Sequence, residues 1–299
     1  MGSVYAGLLG AAGNEVWAVD TWEPHVEAIR AHGLRVEGAS GDRTVRIHAT
    51  TRAADVGEVD LIVVSTKATD VHAASIAATA LAGPETVVLP IQNGLGSADT
   101  VAEIFGSKRT VIGVAGGFGA SVVAPGHVRH EGMELLRLGE REGPASERLE
   151  RIAAVWRAAG FNVKTYDDVG PLVWEKLICN VCFSGTCAIL DRTIGEVLDD
   201  ASAWAVASLC ASEAYDVARA LRIELSFDDP VEYARAFGLR IQQARPSLLL
   251  DLKSGRRCEI DVINGAIPRV GRGVGVAAPV NETVTALVKA LESRSSRLG

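Results

Sequence analysis

The sequence is most informative at first in what it lacks. No uninterrupted apolar run approaches the ~20 residues that a membrane-spanning helix needs. There is no basic excess: the formal net charge is −7. This argues against non-specific nucleic-acid binding, which draws its affinity from Lys and Arg neutralising phosphates. The opening Met1-Gly2-Ser3-Val4-Tyr5 lacks the basic stretch of a secretory signal. It starts as a myristoylation motif does, but Ala6 stands where that motif takes Ser or Thr. The expectation is a cytoplasmic protein without a membrane partner. The five cysteines are an odd number in a long chain and suggest no disulfide framework. Cys179 and Cys182 form a Cys-x-x-Cys inside the apolar stretch Leu172 to Leu190, with no second Cys or His pair at ligand spacing. They read as small buried hydrophobes, and no metal site is expected. Internal repeats and low-complexity segments are absent as well.

What is present is enough for two domains. The chain has 299 residues, of which 48% are hydrophobic. That length is long for one core and comfortable for two. In the first half, short apolar runs (Glu15 to Asp20, Leu61 to Ser65, Thr86 to Pro90, Thr110 to Val114) alternate with helical segments (His25 to His32, Val71 to Leu81, Ala98 to Phe105). Near-continuous apolar strands of this kind are covered on both faces, so the alternation predicts a Rossmann-type, doubly wound α/β domain. Two Gly-punctuated stretches, Leu34 to Ala49 and Gly126 to Leu138, read as hairpins. A helix over Ser146 to Ala159 and a strand over Phe161 to Tyr166 complete this half.

After Asp167-Asp168 the pattern becomes helical, which sets a boundary near residue 167 and a smaller all-α domain beyond it. Helices are expected over Pro171–Leu190, Ala201–Leu221, Pro230–Ala236, Ser247–Lys253, Ile260–Val270 and Pro279–Ser293.

The start of the chain is atypical for a dinucleotide-binding domain, which opens with a strand, then Gly-x-Gly-x-x-Gly, then a helix. Here Gly2 and the residues after it match the last glycine and its helix. The reading predicts about ten further residues upstream in the natural protein, enough for a strand and its glycine turn. It also predicts a gap in the sheet and a defective pyrophosphate site in the present chain. Asp20, at the end of the next strand, stands where a ribose-binding acid belongs. A solvated strand-end Asp fits the same position.

The sharpest signal lies in Leu172-Val173-Trp174-Glu175-Lys176-Leu177-Ile178-Cys179-Asn180-Val181-Cys182-Phe183-Ser184. Past the first turn this segment is apolar except at Lys176, Asn180 and Ser184. Steps of four rotate only ~40° about a helix axis, so the three form one polar stripe. A buried ammonium needs a carboxylate, a ligand or water, although a lysine snorkelling to solvent also fits. Glu259 stands at the start of the helix expected over Ile260–Val270, where acids are common for helix-dipole reasons alone.

Several motifs together resemble the ketopantoate reductase family. They are Arg245-Pro246-Ser247-Leu248-Leu249-Leu250-Asp251, Gly255-Arg256-Arg257-Cys258-Glu259-Ile260-Asp261 with Ile263-Asn264-Gly265, Trp174-Glu175-Lys176-Leu177 with Asn180, Ile91-Gln92-Asn93-Gly94, Ser65-Thr66-Lys67-Ala68, Pro125-Gly126-His127-Val128 and Pro279-Val280-Asn281. They occur in the family's order along essentially the whole chain. The resemblance implies reduction of a small 2-keto acid, ketopantoate, with NAD(P)H. It assigns Lys176 as general acid and Glu259 as the group that binds a substrate hydroxyl and holds the lysine. Asn93, Asn180 and Ser247 then orient substrate and nicotinamide, and Lys67 lies near the cofactor with Gly2 and Asp20. Two positions depart from the family pattern. Ser184 replaces a second substrate-contacting Asn, and Leu250 replaces a common Gln. This leaves open a D-2-hydroxyacid dehydrogenase of the same fold acting on bulkier, mandelate-type acids, as well as a non-catalytic dinucleotide sensor. Family members usually take NADPH through an Arg after the second strand. Val19-Asp20-Thr21-Trp22-Glu23-Pro24 has none, and its two acids favour NADH. A homodimer is left open.

Overall fold

The computed structural model describes residues 1–132 and 134–295. They form two compact units: Met1–Gln92 with Ser97–Val169, and Asn93–Gly96 with the chain from Gly170 onward.

The first unit is Rossmann-type α/β. It begins with α1 (Gly2–Ala11), β1 (Trp17–Val19) and α2 (Glu23–His32), followed by β2 (Leu34–Gly38), β3 (Arg43–Val45) and β4 (His48–Thr50). Next come β5 (Val59–Val64), α3 (Val71–Ala78), β6 (Ala82–Pro90), α4 (Ser97–Phe105), β7 (Val111–Gly116) and β8 (Gly119–Ala124). The unit closes with β9 (His127–Gly132), β10 (Leu135–Glu140), α5 (Glu147–Ala158) and β11 (Val163–Tyr166). β5 and β6 pair in parallel, and a single parallel bridge, Val88 to Thr110, leads on to β7. β10 then pairs antiparallel to β7 and parallel to β11. β1 pairs in parallel with β4. Among the described residues no ladder joins β1 to β5.

The first expected hairpin forms, over β2 and β3, and the second does not. In the first stretch β2 and β3 pair antiparallel, but β4 leaves them for β1. In the second, β9 joins β2 and β8 in a separate four-stranded sheet, while β10 crosses to β7 and β11. A short Gly-punctuated pair of runs looks the same in sequence whether the strands pair with each other or with distant partners. Met133, inside that stretch, lies outside the described residues. Tyr5 of α1, Trp156 of α5 and Phe161 pack edge to face in the core of this unit, with centroids 4.9–5.9 Å apart. They bind α1 to the far end of the domain's chain.

The second unit is helical: α6 (Gly170–Leu190), α7 (Ile194–Asp199), α8 (Ala201–Ala220), α9 (Pro230–Arg240), α10 (Ser247–Lys253), α11 (Ala266–Val274) and α12 (Pro279–Ser295). α6 has 21 residues and a mean hydropathy of 1.3, enough to cross a membrane by length and composition. A search for uninterrupted apolar runs passes over it, because polar residues break the run while the average stays high. Its most apolar window is 72% buried within the protein, which makes it the core helix, wrapped by α8, α9, α10 and α12. The short helix α7 lies outside the expected set. Thr193 and Glu196 form a reciprocal capping box at its start, a signature readable as Thr-x-x-Glu.

The helix expected over Ile260–Val270 is two elements. Ile260–Val262 is a single 3-10 turn, Ile263 departs from helical geometry (φ −100°, ψ −99°), and α11 begins at Ala266. The apolar spacing of Ile260, Ile263 and Ile267 is real, and all three are buried. It is satisfied across a break because Asn264 sends its side chain inward. Glu259 therefore precedes a 3-10 turn rather than opening an α-helix.

Candidate functional site

In the first unit, the candidate residues gather around the first turn of α1. That turn has no side-chain cap and no acidic residue, so its N–H groups are free of a competing carboxylate. At Gly2 the helix start comes close to Ser65: a Cβ would lie 2.5 Å from its Oγ, a contact that a turn of the serine side chain relieves, in the loop that carries half-buried Lys67. The Lys67 charge is felt at the Met1 α-amino group, which burial chiefly, and Lys67 secondarily, hold below its ordinary value.

On the other side of the turn, His25 is buried. Its Nδ1 accepts the Gly126 N–H at 3.0 Å, and its Nε2 lies 3.0 Å from Ser3 Oγ. An acceptor at Nδ1 requires the proton on Nε2, so the ring donates to Ser3 and leaves that hydroxyl hydrogen to point elsewhere. Burial lowers the His25 pKa, and the charge of Asp20 opposes it, which places Asp20 in the same neighbourhood. Asp20 is exposed after β1, and its Oδ1 accepts the Trp22 N–H at 2.9 Å. Trp22 stacks on the His25 ring at 5.2 Å and 4°. The sequence does not single out His25 and Ser3, because their bonds span 22 and 101 positions and leave no local pattern.

In the second unit, α6 carries Lys176 and Asn180, both half-buried, and Ser184, 6% exposed, amid buried Leu177, Ile178, Val181, Cys182 and Phe183. Glu259 is 6% exposed and lies in the turn preceding α11. Two connections tie this turn to its neighbours. Asn264 Nδ2 donates to the Val181 carbonyl of α6 at 2.9 Å and to Asn281 Oδ1 at 2.9 Å. Asn281 in turn donates to the Cys210 carbonyl (3.0 Å) and to Glu213 Oε2 (2.8 Å). On the other flank, Leu95 N–H donates to the Val262 carbonyl at 2.9 Å, which fastens the segment bearing half-buried Asn93 to the same turn. The second unit thus brings together the elements bearing Asn93, Lys176, Asn180, Ser184 and Glu259. Ser247 is the exposed first residue of α10, a helix whose Leu248 and Leu249 are buried in the core around α6. The sequence assigns no role to Asn264, Asn281 and Glu213, although the two asparagines stand in recognisable motifs.

All five cysteines are free and buried, and among the described residues no cluster of His, Cys, Asp and Glu could hold a metal ion.

The family model described as Ketopantoate reductase PanE/ApbA matches residues 1–143, and its C-terminal counterpart matches residues 168–292. The 2-dehydropantoate 2-reductase of Archaeoglobus fulgidus is 31% identical over 293 residues, covering 98% of this chain and 95% of its own. The crystal structure of a PanE/ApbA family ketopantoate reductase from Ralstonia eutropha superposes with a TM-score of 0.90 at 32% identity, covering 98% of this chain and 95% of that one. A D-mandelate dehydrogenase solved with NADH and anilino(oxo)acetate gives 0.89 at 27% identity, covering 98% and 96%. The stripe on α6, the turn at Glu259 and the motifs that resemble this family therefore stand in a chain that is an oxidoreductase and belongs to the ketopantoate reductase family.

Proposed function

We propose that the protein reduces 2-dehydropantoate to pantoate with a nicotinamide dinucleotide. The observation that carries this reading is the Lys176–Asn180–Ser184 stripe on the core helix, tied through Asn264 to the turn that bears Glu259.

The first unit's residues fit the cofactor. The uncapped start of α1, approached closely at Gly2, supplies the last-glycine part of a pyrophosphate site. Asp20 has an Oδ2 left for ribose hydroxyls, and Lys67, whose charge reaches the start of α1, would add a positive charge for the dinucleotide. Bound reduced dinucleotide supplies the hydride. As negative charge grows on the substrate's keto oxygen, the Lys176 ammonium stabilises it and transfers a proton from Nζ to that oxygen. The product is the 2-hydroxy acid, and Lys176 regains its proton from solvent. Glu259 accepts a hydrogen bond from a substrate hydroxyl and holds the lysine in place. Asn93, Asn180 and Ser247 donate to the carboxylate and to the nicotinamide amide.

A second reading rests on Ser184. Its hydroxyl is shorter than the Asn of the family pattern and has one donor instead of an amide's two, which leaves room for a bulkier 2-keto acid of the mandelate type. The similarity to a D-mandelate dehydrogenase supports this alternative. A steady-state panel of ketopantoate, benzoylformate and branched 2-keto acids with NADH and NADPH separates the two. The highest kcat/KM on ketopantoate supports the first reading, and the highest on benzoylformate overturns it in favour of the second.

A further inference from the structure

We propose that Gly94 is a positioning residue that sets the side chain of Asn93 by clamping its backbone onto the Val262 carbonyl. The proposal rests on the reading of Asn93 as a substrate- and nicotinamide-orienting group. Gly94 adopts φ +82°, a conformation that L side chains resist. Space forbids a side chain there independently of that strain. A Cβ would overlap the Val262 carbonyl oxygen and approach the carbonyl carbon to 2.7 Å and Val262 Cγ2 to 2.9 Å. The neighbouring Leu95 N–H makes a 2.9 Å hydrogen bond to that same carbonyl oxygen. Leu95 is half-buried and packs on the helical core, and its own carbonyl accepts from Arg269 Nη2 at 3.4 Å.

The residue next to Asn93 is thus seated flat on the turn that begins at Glu259, and Asn264 anchors that turn to α6 between Asn180 and Ser184 at Val181. A methyl group at position 94 must lift the segment off the carbonyl and carry Asn93 with it. A displacement of about 1 Å at an orienting group can cost on the order of 10²-fold in rate.

Gly57 provides the control. It has φ +83°, and nothing lies within 4 Å of the place a methyl group would take, so Gly57→Ala carries the backbone strain without the overlap. The test compares Gly94→Ala, Gly57→Ala, Asn93→Ala and Asn93→Ala/Gly94→Ala by kcat and KM for the best 2-keto acid, with thermal melts of each. We expect Gly94→Ala to lower kcat/KM by ~10- to 100-fold, while Gly57→Ala stays within about twofold of wild type. The double variant should be no worse than Asn93→Ala alone, because the effect of Gly94 runs through Asn93.

Additive losses, a silent Gly94→Ala, or a large loss where Asn93→Ala is neutral would each overturn the clamp. Should Gly94→Ala not fold, Arg269→Ala loosens the same segment without strain. A several-fold loss that vanishes in the Asn93→Ala background supports the proposal, and a silent or additive one overturns it. A wild type that turns over no 2-keto acid refutes the functional reading instead.

Discussion

Asn264 and Asn281, 17 positions apart and both fully buried, are joined by a 2.9 Å hydrogen bond from Nδ2 to Oδ1. Each amide also reaches a helix carbonyl, Val181 for Asn264 and Cys210 for Asn281. Glu213 closes the network on the Val280 and Asn281 N–H groups at 2.8 and 2.9 Å. Buried polar groups are costly to orphan. Asn281→Ala strips one acceptor from Asn264, a donor from the Cys210 carbonyl and a donor from Glu213. It should lower the unfolding free energy by roughly 2–4 kcal/mol, measured by urea denaturation. A loss below about 0.5 kcal/mol would show that the network does not hold the helices together.

Lys176→Ala should reduce kcat by on the order of 10²-fold or more while leaving dinucleotide affinity near wild type. Glu259→Ala should act mainly on KM. Fluorescence titration with NADH or NADPH beside steady-state kinetics separates the two effects. Near-normal kcat in Lys176→Ala removes the lysine from the chemistry.

Cofactor choice turns on Asp20. Its carboxylate, with exposed Glu23 nearby in sequence, repels a 2′-phosphate of charge near −2 and accepts from ribose hydroxyls. NADH is therefore expected to give a kcat/KM at least equal to that of NADPH, and Asp20→Ala with Thr21→Arg should shift the balance toward NADPH. A clear NADPH preference in the wild type would contradict this, and Lys67 or Arg43 would then be the first residues to test for phosphate contact.

Acid should weaken the first unit through His25. Burial holds its folded pKa below the ordinary 6.5, so the unfolded chain binds the proton more readily. The stabilisation is fully present above pH 6.5 and is lost as pH falls through the depressed folded value. Protonation also removes the Nδ1 acceptor used by Gly126. Denaturant midpoints should fall between pH 7.5 and 5, with His130, whose pKa burial lowers as well, adding to the slope. Glutamine at position 25 offers a carbonyl acceptor and an NH2 donor group without titrating. Hence His25→Gln should flatten that dependence by up to about one proton, and an unchanged slope would exclude His25 as its source.

The cysteines should be inert in the native state. Burial pushes Cys179, Cys187, Cys210 and Cys258 up to about 12, and Cys182 well above its ordinary value. A thiol-exchange reagent at pH 8 should label less than about one thiol per native chain, since the thiolate is the reactive form, and all five after denaturation. Rapid native labelling of the Cys179–Cys182 pair would contradict this and point to a reactive thiol in that motif.

Local periodicity was enough to reveal the alternating strands and helices of the first unit and the polar stripe at Lys176, Asn180 and Ser184. These features depend on spacings of two, three or four residues, which backbone geometry converts directly into faces. The Thr193-x-x-Glu196 cap is equally local, although the expected helices do not include it. Strand partners distant in sequence were beyond local reach. β9 pairs with β2 rather than with β10 because register is chosen by which buried faces meet, and those lie some 90 positions apart in sequence. The break at Ile263 is another such case, since an unbroken helix would fit the apolar spacing equally well. The amides of Asn264 and Asn281, both fully buried, need acceptors for their N–H groups and find them in the Val181 and Cys210 carbonyls, which ties the turn after Glu259 to the helices. The sequence alone determined which residue types could carry the chemistry. The three-dimensional fold decided which backbone atoms hold them in place, because buried polar groups must find partners wherever the packed chain provides them.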